Sequence, residues 1–174
     1  TNTPTTLADW LDYIERQHPA SIDMGLERVR AVATAMGLGA PAKRTIVVGG
    51  TNGKGSTVAF IEAIARAAGW KVGAYTSPHL LRYNERVRID GQDVDDAALV
   101  AAFNAVEAAR GETTLTYFEY GTLAALQLFA DAGLDLAVLE VGLGGRLDAV
   151  NIVDADVAVI TTVDIDHAEW LGED

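Results

Sequence analysis

The sequence has 174 residues, 49% of them hydrophobic and 22% charged, a composition that suits a globular domain with one core. Acids outnumber Lys and Arg by 25 to 13, and the formal charge of −12 argues against nonspecific nucleic-acid binding. Cysteine is absent, which excludes disulfides and thiolate metal sites and fits a reducing, cytoplasmic compartment.

The first residues, TNTPTTLADW, carry neither a basic segment nor an apolar one, so no signal peptide is expected. No apolar run is long enough to span a bilayer, so no membrane partner is expected either. LADWLDYIERQ has helical spacing, with Leu7, Trp10, Leu11 and Ile14 on one face. GLERVRAVATAMGLG predicts a second helix, ended by Gly37 or Gly39. RTIVVGG predicts a short buried strand, and STVAFIEAIARAAGW a helix capped by Gly69. KVGAYTS reads as a strand; DDAALVAAFNAVEAAR and YFEYGTLAALQLFADAG read as helices. LDLAVLEVG and DVAVITTV are strands with almost no polar alternation, the pattern of parallel strands covered on both faces. Strands alternating with helices predict an α/β fold, a doubly wound and mostly parallel sheet. No repeat or interdomain linker interrupts it.

One stretch carries chemistry on its own. In TIVVGGTNGKGST a strand runs through glycines into a helix that begins near Lys54 to Ser56. Glycines let backbone N–H groups turn inward, the helix start adds partial positive charge, and Lys54 adds a full one. That combination cradles a polyphosphate. The plainer account is a glycine-rich turn with an exposed lysine. The spacing also departs from the standard phosphate loop: Val48 stands where the leading glycine belongs, and Gly55 separates the lysine from Ser56 and Thr57. The usual contact between a hydroxyl and Mg²⁺ therefore does not follow from this loop. Glu140 ends the apolar run LDLAVLE, and an acid at the tip of a buried parallel strand is costly unless paired or metal-bound.

Four more stretches appear in order with GTNGKGS: SIDMGLERV, YTSPHLLRYNERVRI, LEVGLGGRLDAVN and TTVDIDHAEWLG. Together they resemble the N-terminal part of the folylpolyglutamate synthase family, which includes bifunctional dihydrofolate synthases and belongs to the Mur-ligase superfamily. The resemblance covers nearly the whole chain. It implies ATP- and Mg²⁺-dependent joining of L-glutamate to dihydropteroate or reduced folates through an acyl phosphate, by a monomer. It places Thr51, Asn52, Gly53, Lys54, Gly55 and Ser56 at the ATP phosphates. It makes Ser77, Glu140 and His167 the metal ligands, with Lys54, Glu140 and His167 as the catalytic set; Asp164 and Asp166 stand nearby.

On the pteroate side the resemblance points to three segments: Ser21, Ile22, Asp23 and Met24; Thr116, Tyr117, Phe118 and Glu119; and Leu147, Asp148 and Ala149. Phe118 is the residue that could stack on a flat ring. The residues themselves also allow a simpler account of the second segment, a helix start with Thr116 as N-cap and Glu119 three residues on. Arg82, Asn84 and Arg86 are placed to reach a phosphate or carboxylate, with a solvated connecting strand as the plainer account. His18 and His79 receive no role. The family's remaining ATP contacts, its carbamylated lysine and its glutamate-binding domain belong beyond Asp174, so residues 1–174 are expected to be the N-terminal part of the ATP-binding domain and inactive alone. Two other readings stay open: another amino-acid ligase of the superfamily, and a nucleotide-binding module without ligase chemistry.

Overall fold

A computed structural model describes residues 3–18 and 25–164. Along that stretch run α1 (Leu7–Glu15), α2 (Glu27–Ala35), β1 (Arg44–Gly49), α3 (Lys54–Ala67), β2 (Val72–Tyr75), β3 (Val87–Ile89), β4 (Gln92–Asp93), α4 (Asp96–Arg110), α5 (Tyr117–Ala132), β5 (Leu136–Glu140) and β6 (Val157–Ile160). Short 3-10 turns occupy Tyr83–Arg86 and Ala149–Ile152.

Polar caps start several helices. Thr6 accepts the Asp9 N–H at 3.1 Å, Asp95 the Ala98 N–H at 2.8 Å, and Thr116 the Glu119 N–H at 3.2 Å. In α3, by contrast, the N-cap is Gly53 in the left-handed region, and no side chain caps the first turn. Its leading N–H groups are left for another partner.

The strands form one sheet in the order β4-β3-β2-β5-β1-β6. β2, β5, β1 and β6 run parallel, and β3 and β4 add an antiparallel edge. Strand alternation sorts side chains onto two faces. Val48, Val72, Ala74, Leu136 and Val138 pack with Val58 and Ala65 of α3. On the other face Val47, Tyr75, Ala137 and Leu139 join a larger core with α1, α2, α4 and α5. By the same period of two, Glu140 falls on the α3 side.

α5 lies close on the sheet at Gly73. A Cβ there would meet Leu134 Cδ1 at 2.5 Å and the Phe129 ring at 2.8 Å, and both partners are fully buried. Gly73→Ala is expected to cost about 1–3 kcal/mol by overpacking. A urea melt of the full-length protein checks this, with a lower midpoint at unchanged slope expected.

The doubly wound, mostly parallel sheet stands as expected, with two corrections. Arg82, Asn84 and Arg86, read as lying on a connecting strand, instead sit at the N-cap and within the Tyr83–Arg86 3-10 turn, and the chain then makes the β3–β4 hairpin. Its turn residues, Asp90 and Gly91, take φ of 53° and 76°, and Asp-Gly is a known hairpin signal. β6 was expected to be covered on both faces. It is instead the sheet's edge strand among the described residues, with Val157 51% and Ile160 63% exposed. The physical reason is placement: α3 covers β5, β2 and β1, and β6 lies beyond it.

Candidate active site

β1 and β5 are neighbours, yet their C-terminal loops leave in opposite directions. The first enters α3; the second runs to the 149–152 turn, which packs against α5. Such a reversal opens a crevice at the carboxyl ends of the strands. Here it is a cleft of about 340 Å³ lined by Gly50, Thr51 and Lys54, by residues 141–145, and by Ile160 and residues 162–164. A larger, open hollow of about 740 Å³ lies at the opposite end of β1, lined by residues such as Arg30, Lys43 and Asp154. It contains none of the motif residues, so the chemistry points to the smaller cleft.

The loop after β1 is tied down on its β6 side. Thr51 N–H donates to Thr162 O at 2.8 Å, Asn52 N–H to Thr162 Oγ1 at 3.1 Å, and Thr161 Oγ1 to Asn52 O at 2.6 Å. Thr51 Oγ1 and the Asp164 backbone also bond, at 3.0 Å. Gly50 sits at φ 128°, and a Cβ there would meet Thr161 Oγ1 at 2.2 Å and Thr162 O at 2.9 Å. Only glycine fits that approach. Lys54 folds its ammonium back onto Gly50 O at 2.7 Å and Thr51 O at 3.3 Å. A cation, the uncapped start of α3 and the small residues Gly55 and Ser56 thus share one spot.

Glu140 faces it. The carboxylate is 5% exposed, and Oε2 accepts the Ser77 N–H at 3.1 Å. Oε1 lies 3.9 Å from where a Cβ on Gly55 would stand. The end of β2, the end of β5 and the start of α3 therefore meet at this carboxylate. Burial raises its pKa, against the Ser77 N–H and the charges of Lys54 and Arg88. Arg88 itself forks onto buried Glu62 of α3, with Nη2 2.8 Å from Oε2, and reaches Thr76 Oγ1 at 3.3 Å and Glu85 O at 3.2 Å. It braces α3 against the segment that carries Ser77.

No cluster of three or more His, Cys, Asp or Glu side chains suited to a metal occurs among the described residues. The donors at hand are one buried carboxylate and one serine. That set fits Mg²⁺, which is held by one or two carboxylates while phosphates and water complete its shell. His167 and Asp166 lie outside the described residues, as do Ser21, Ile22, Asp23 and Met24.

The two described segments expected on the pteroate side, 116–119 and 147–149, lie by α5. Phe118 stacks on Tyr75, with centroids 6.0 Å apart, and its ring edge fills the space beside Gly142. Thr116 and Glu119 form the capping box, and buried Glu119 also takes Arg28 Nη2 at 2.7 Å. Tyr117 packs edge-on against Tyr83. Leu147 is 38% exposed, and Ala149 is buried. Asp148 is buried as well, and uses both oxygens on the N–H groups of Gly142, Leu143 and Val150, at 2.9–3.0 Å. It shapes the glycine loop from within.

Burial pushes the Asp148 carboxyl up to about 6. The folded state then holds this proton more tightly than the unfolded chain does. Its contribution to stability is full below the ordinary carboxyl range and is lost as pH rises through about 6. Titrating the Asp148 carboxyl carbon by NMR is expected to give a midpoint near that value; a midpoint of an ordinary aspartate would contradict it.

Sequence reasoning missed Tyr75, Glu62 and Arg88: Tyr75 and Arg88 lie within the quoted stretch YTSPHLLRYNERVRI but received no role, and Glu62 sits in the middle of an ordinary helical pattern. Of Arg82, Asn84 and Arg86, Arg82 pairs with Asp96 at 3.1 Å, and buried Asn84 donates to Val94 O at 2.8 Å and Asp96 Oδ1 at 2.9 Å, so both tie this segment to the residues just after the hairpin.

Residues 48–173 match the Mur ligase middle domain. The chain belongs to the Mur ligase middle-domain family. Among curated relatives, this Mur ligase domain is 58% identical over 168 residues to the dihydrofolate synthase/folylpolyglutamate synthase of Escherichia coli, covering 97% of this chain and 40% of the relative. Among solved structures, it superposes on E. coli FolC in complex with DHPP and ADP with a TM-score of 0.97 at 57% identity, covering 99% of this chain and 42% of that one. A bifunctional folylpolyglutamate synthase/dihydrofolate synthase with Mn, AMPPNP and L-glutamate bound gives 0.92 at 56% identity, over 99% of this chain and 43% of that one. The chain thus spans about two fifths of the length of these relatives. No described helix is long and apolar enough to cross a membrane.

Proposed function

We propose that this chain is the N-terminal part of the ATP-binding domain of a monomeric, cytoplasmic ligase that joins L-glutamate to dihydropteroate or reduced folates. The observation that carries the reading is the meeting of Lys54, the uncapped start of α3, Ser77 and Glu140 at one sheet edge. The relatives' names and their nucleotide, metal and glutamate complexes support it.

A carboxylate does not acylate an amine, because its leaving group is too poor. In this reading the acceptor carboxylate attacks the γ-phosphorus of ATP, giving an acyl phosphate and ADP. The amino group of L-glutamate then attacks the acyl carbon, forming the amide and releasing phosphate and a proton. Gly53 to Ser56 hold the phosphates with backbone N–H groups and Lys54, on a loop that Thr51 and Asn52 shape by donating their own N–H groups to Thr162, so charge is met where it develops. Ser77 and Glu140, with His167 from outside the described residues, would hold Mg²⁺. When bound, the ion offsets phosphate charge. Phe118, backed by Tyr75, presents its remaining surface to the flat ring. Tyr117 beside it and Leu147 to Ala149 would line the ring's surroundings, with Thr116 and Glu119 fixing the start of α5 and Asp148 acting through the loop it organises; the resemblance adds Ser21 to Met24, which lie outside the described residues.

ATP-dependent incorporation of labelled glutamate into dihydropteroate by the full-length enzyme tests the reading. Turnover with other acceptors alone, or nucleotide binding with no ligation, would overturn it. Phe118→Leu keeps bulk against Tyr75 and Gly142 but removes the ring. Aromatic stacking is worth about 0.5–1.5 kcal/mol, so KM for the pteroyl substrate should rise several-fold up to roughly tenfold while KM for ATP holds. Equal shifts in both would make Phe118 a packing residue only.

A further inference from the structure

Four arginines among the described residues are not exposed: Arg28, Arg86, Arg88 and Arg110. Three of them hold a carboxylate, namely Glu119, Glu62 and Glu107, at 2.7–2.8 Å. Arg86 holds none, in a chain where acids outnumber bases by 25 to 13. Its neighbour Glu85 is already committed to the N–H groups of Leu80, Leu81 and Arg82. Leaving a half-buried guanidinium without a counter-ion is costly unless something arrives to meet it.

The side chain is nevertheless fixed. Its guanidinium carbon lies 5.3 Å from the Tyr83 ring centre and 5.6 Å from that of Tyr117, a cation–π setting on both. Nε donates to His79 Nδ1 at 2.8 Å. Among the described residues the two terminal nitrogens have no hydrogen-bond partner, so the forked end is preorganised and open. Its place is informative too. Arg86 O accepts the Thr76 N–H at 2.9 Å, next to Ser77, while the guanidinium lies on Tyr117, next to Phe118. Arg86 thus stands between the end of the site assigned to phosphoryl transfer and the end assigned to the flat ring. A guanidinium fork matches a carboxylate in shape and charge.

We propose that Arg86 binds a carboxylate of the pteroyl-type substrate, at the end of the molecule away from its ring. This rests on the ligase reading above. Arg86 is then the group that orients the acceptor, and Tyr83, Tyr117 and His79 are the frame that holds it.

The test measures dissociation constants by fluorescence, without ATP, on the full-length enzyme and its Arg86→Gln variant. The probes are pteroate and the same molecule with its carboxylate replaced by a carboxamide. Because hydrogen bonds to charged groups exceed neutral ones, pteroate should loosen about 10–100-fold in the variant while the carboxamide shifts less than about twofold. KM for L-glutamate should hold. An equal loss for both probes would overturn the proposal and leave Arg86 as packing for the tyrosines. A loss confined to KM for L-glutamate would overturn it in favour of the incoming amino acid as the source of the carboxylate. Should the melting temperature show that Arg86→Gln fails to fold, Arg86→Lys decides: it keeps charge but loses the fork, and must still weaken pteroate selectively. Failure of wild-type enzyme to bind either pteroate or a reduced folate would instead sink the ligase reading. Tight wild-type binding with an unaffected variant would sink this proposal alone.

Discussion

Lys54→Ala in the full-length enzyme is expected to reduce kcat for glutamate ligation by at least about 10²–10³-fold, the cost of deleting one preorganised group aimed at developing charge. The structure gives the reason. Lys54 is the first residue of α3, where Gly53 supplies no side-chain cap. Its ammonium rests on two carbonyls of its own loop, Gly50 O and Thr51 O, and both contacts are local. It can exchange them for a phosphate without disturbing the core. The variant should therefore melt near the wild-type temperature. Ligation at near-normal rate would remove the loop from the reaction. A large loss of stability would mean that the lysine serves the fold.

Glu140→Gln is expected to separate metal binding from folding. The amide keeps the shape and can still accept the Ser77 N–H, but the only formal negative charge shared by Ser77 and Glu140 is gone. Outer-shell changes at metal sites cost about 10–100-fold in affinity, and the loss of an inner ligand should cost at least that. The Mg²⁺ concentration for half-maximal rate should rise accordingly, and kcat should fall. Stability should hold or increase, since burial already works against this carboxylate in the metal-free protein. Unchanged metal dependence would show that Glu140 serves only to anchor Ser77.

Some of this was legible in the sequence and some was not. The candidate phosphate loop announces itself because its signal is local: strand, glycines, lysine and helix follow in one stretch. The capping box of Thr116 and Glu119 is legible for the same reason. Glu140 could be singled out because an acid at the tip of an apolar strand needs a partner, but only the structure shows that partner to be the Ser77 backbone. Arg88 and Glu62 meet across a helix and an antiparallel strand, and no spacing rule reaches that far. The strand hydropathy of β6 tells what would benefit from cover, and among the described residues only β1 lies beside it. The Asp90-Gly91 turn is readable as a hairpin signal, but the strands beside it are only two and three residues long, too short to show an alternating pattern. Arg86 differs again. Its residue type was noted, but its missing counter-ion becomes visible only once every other half-buried arginine has been paired.

The central claim is that this sheet edge transfers the γ-phosphoryl group of ATP to a carboxylate. Its most direct test follows an oxygen atom. Dihydropteroate carrying ¹⁸O in its carboxylate is turned over by the full-length enzyme with ATP, Mg²⁺ and L-glutamate, and the released phosphate is analysed by mass spectrometry. An acyl phosphate requires one ¹⁸O to pass from the carboxylate into phosphate at each turnover. Phosphate without label, formed alongside the amide, would contradict the account.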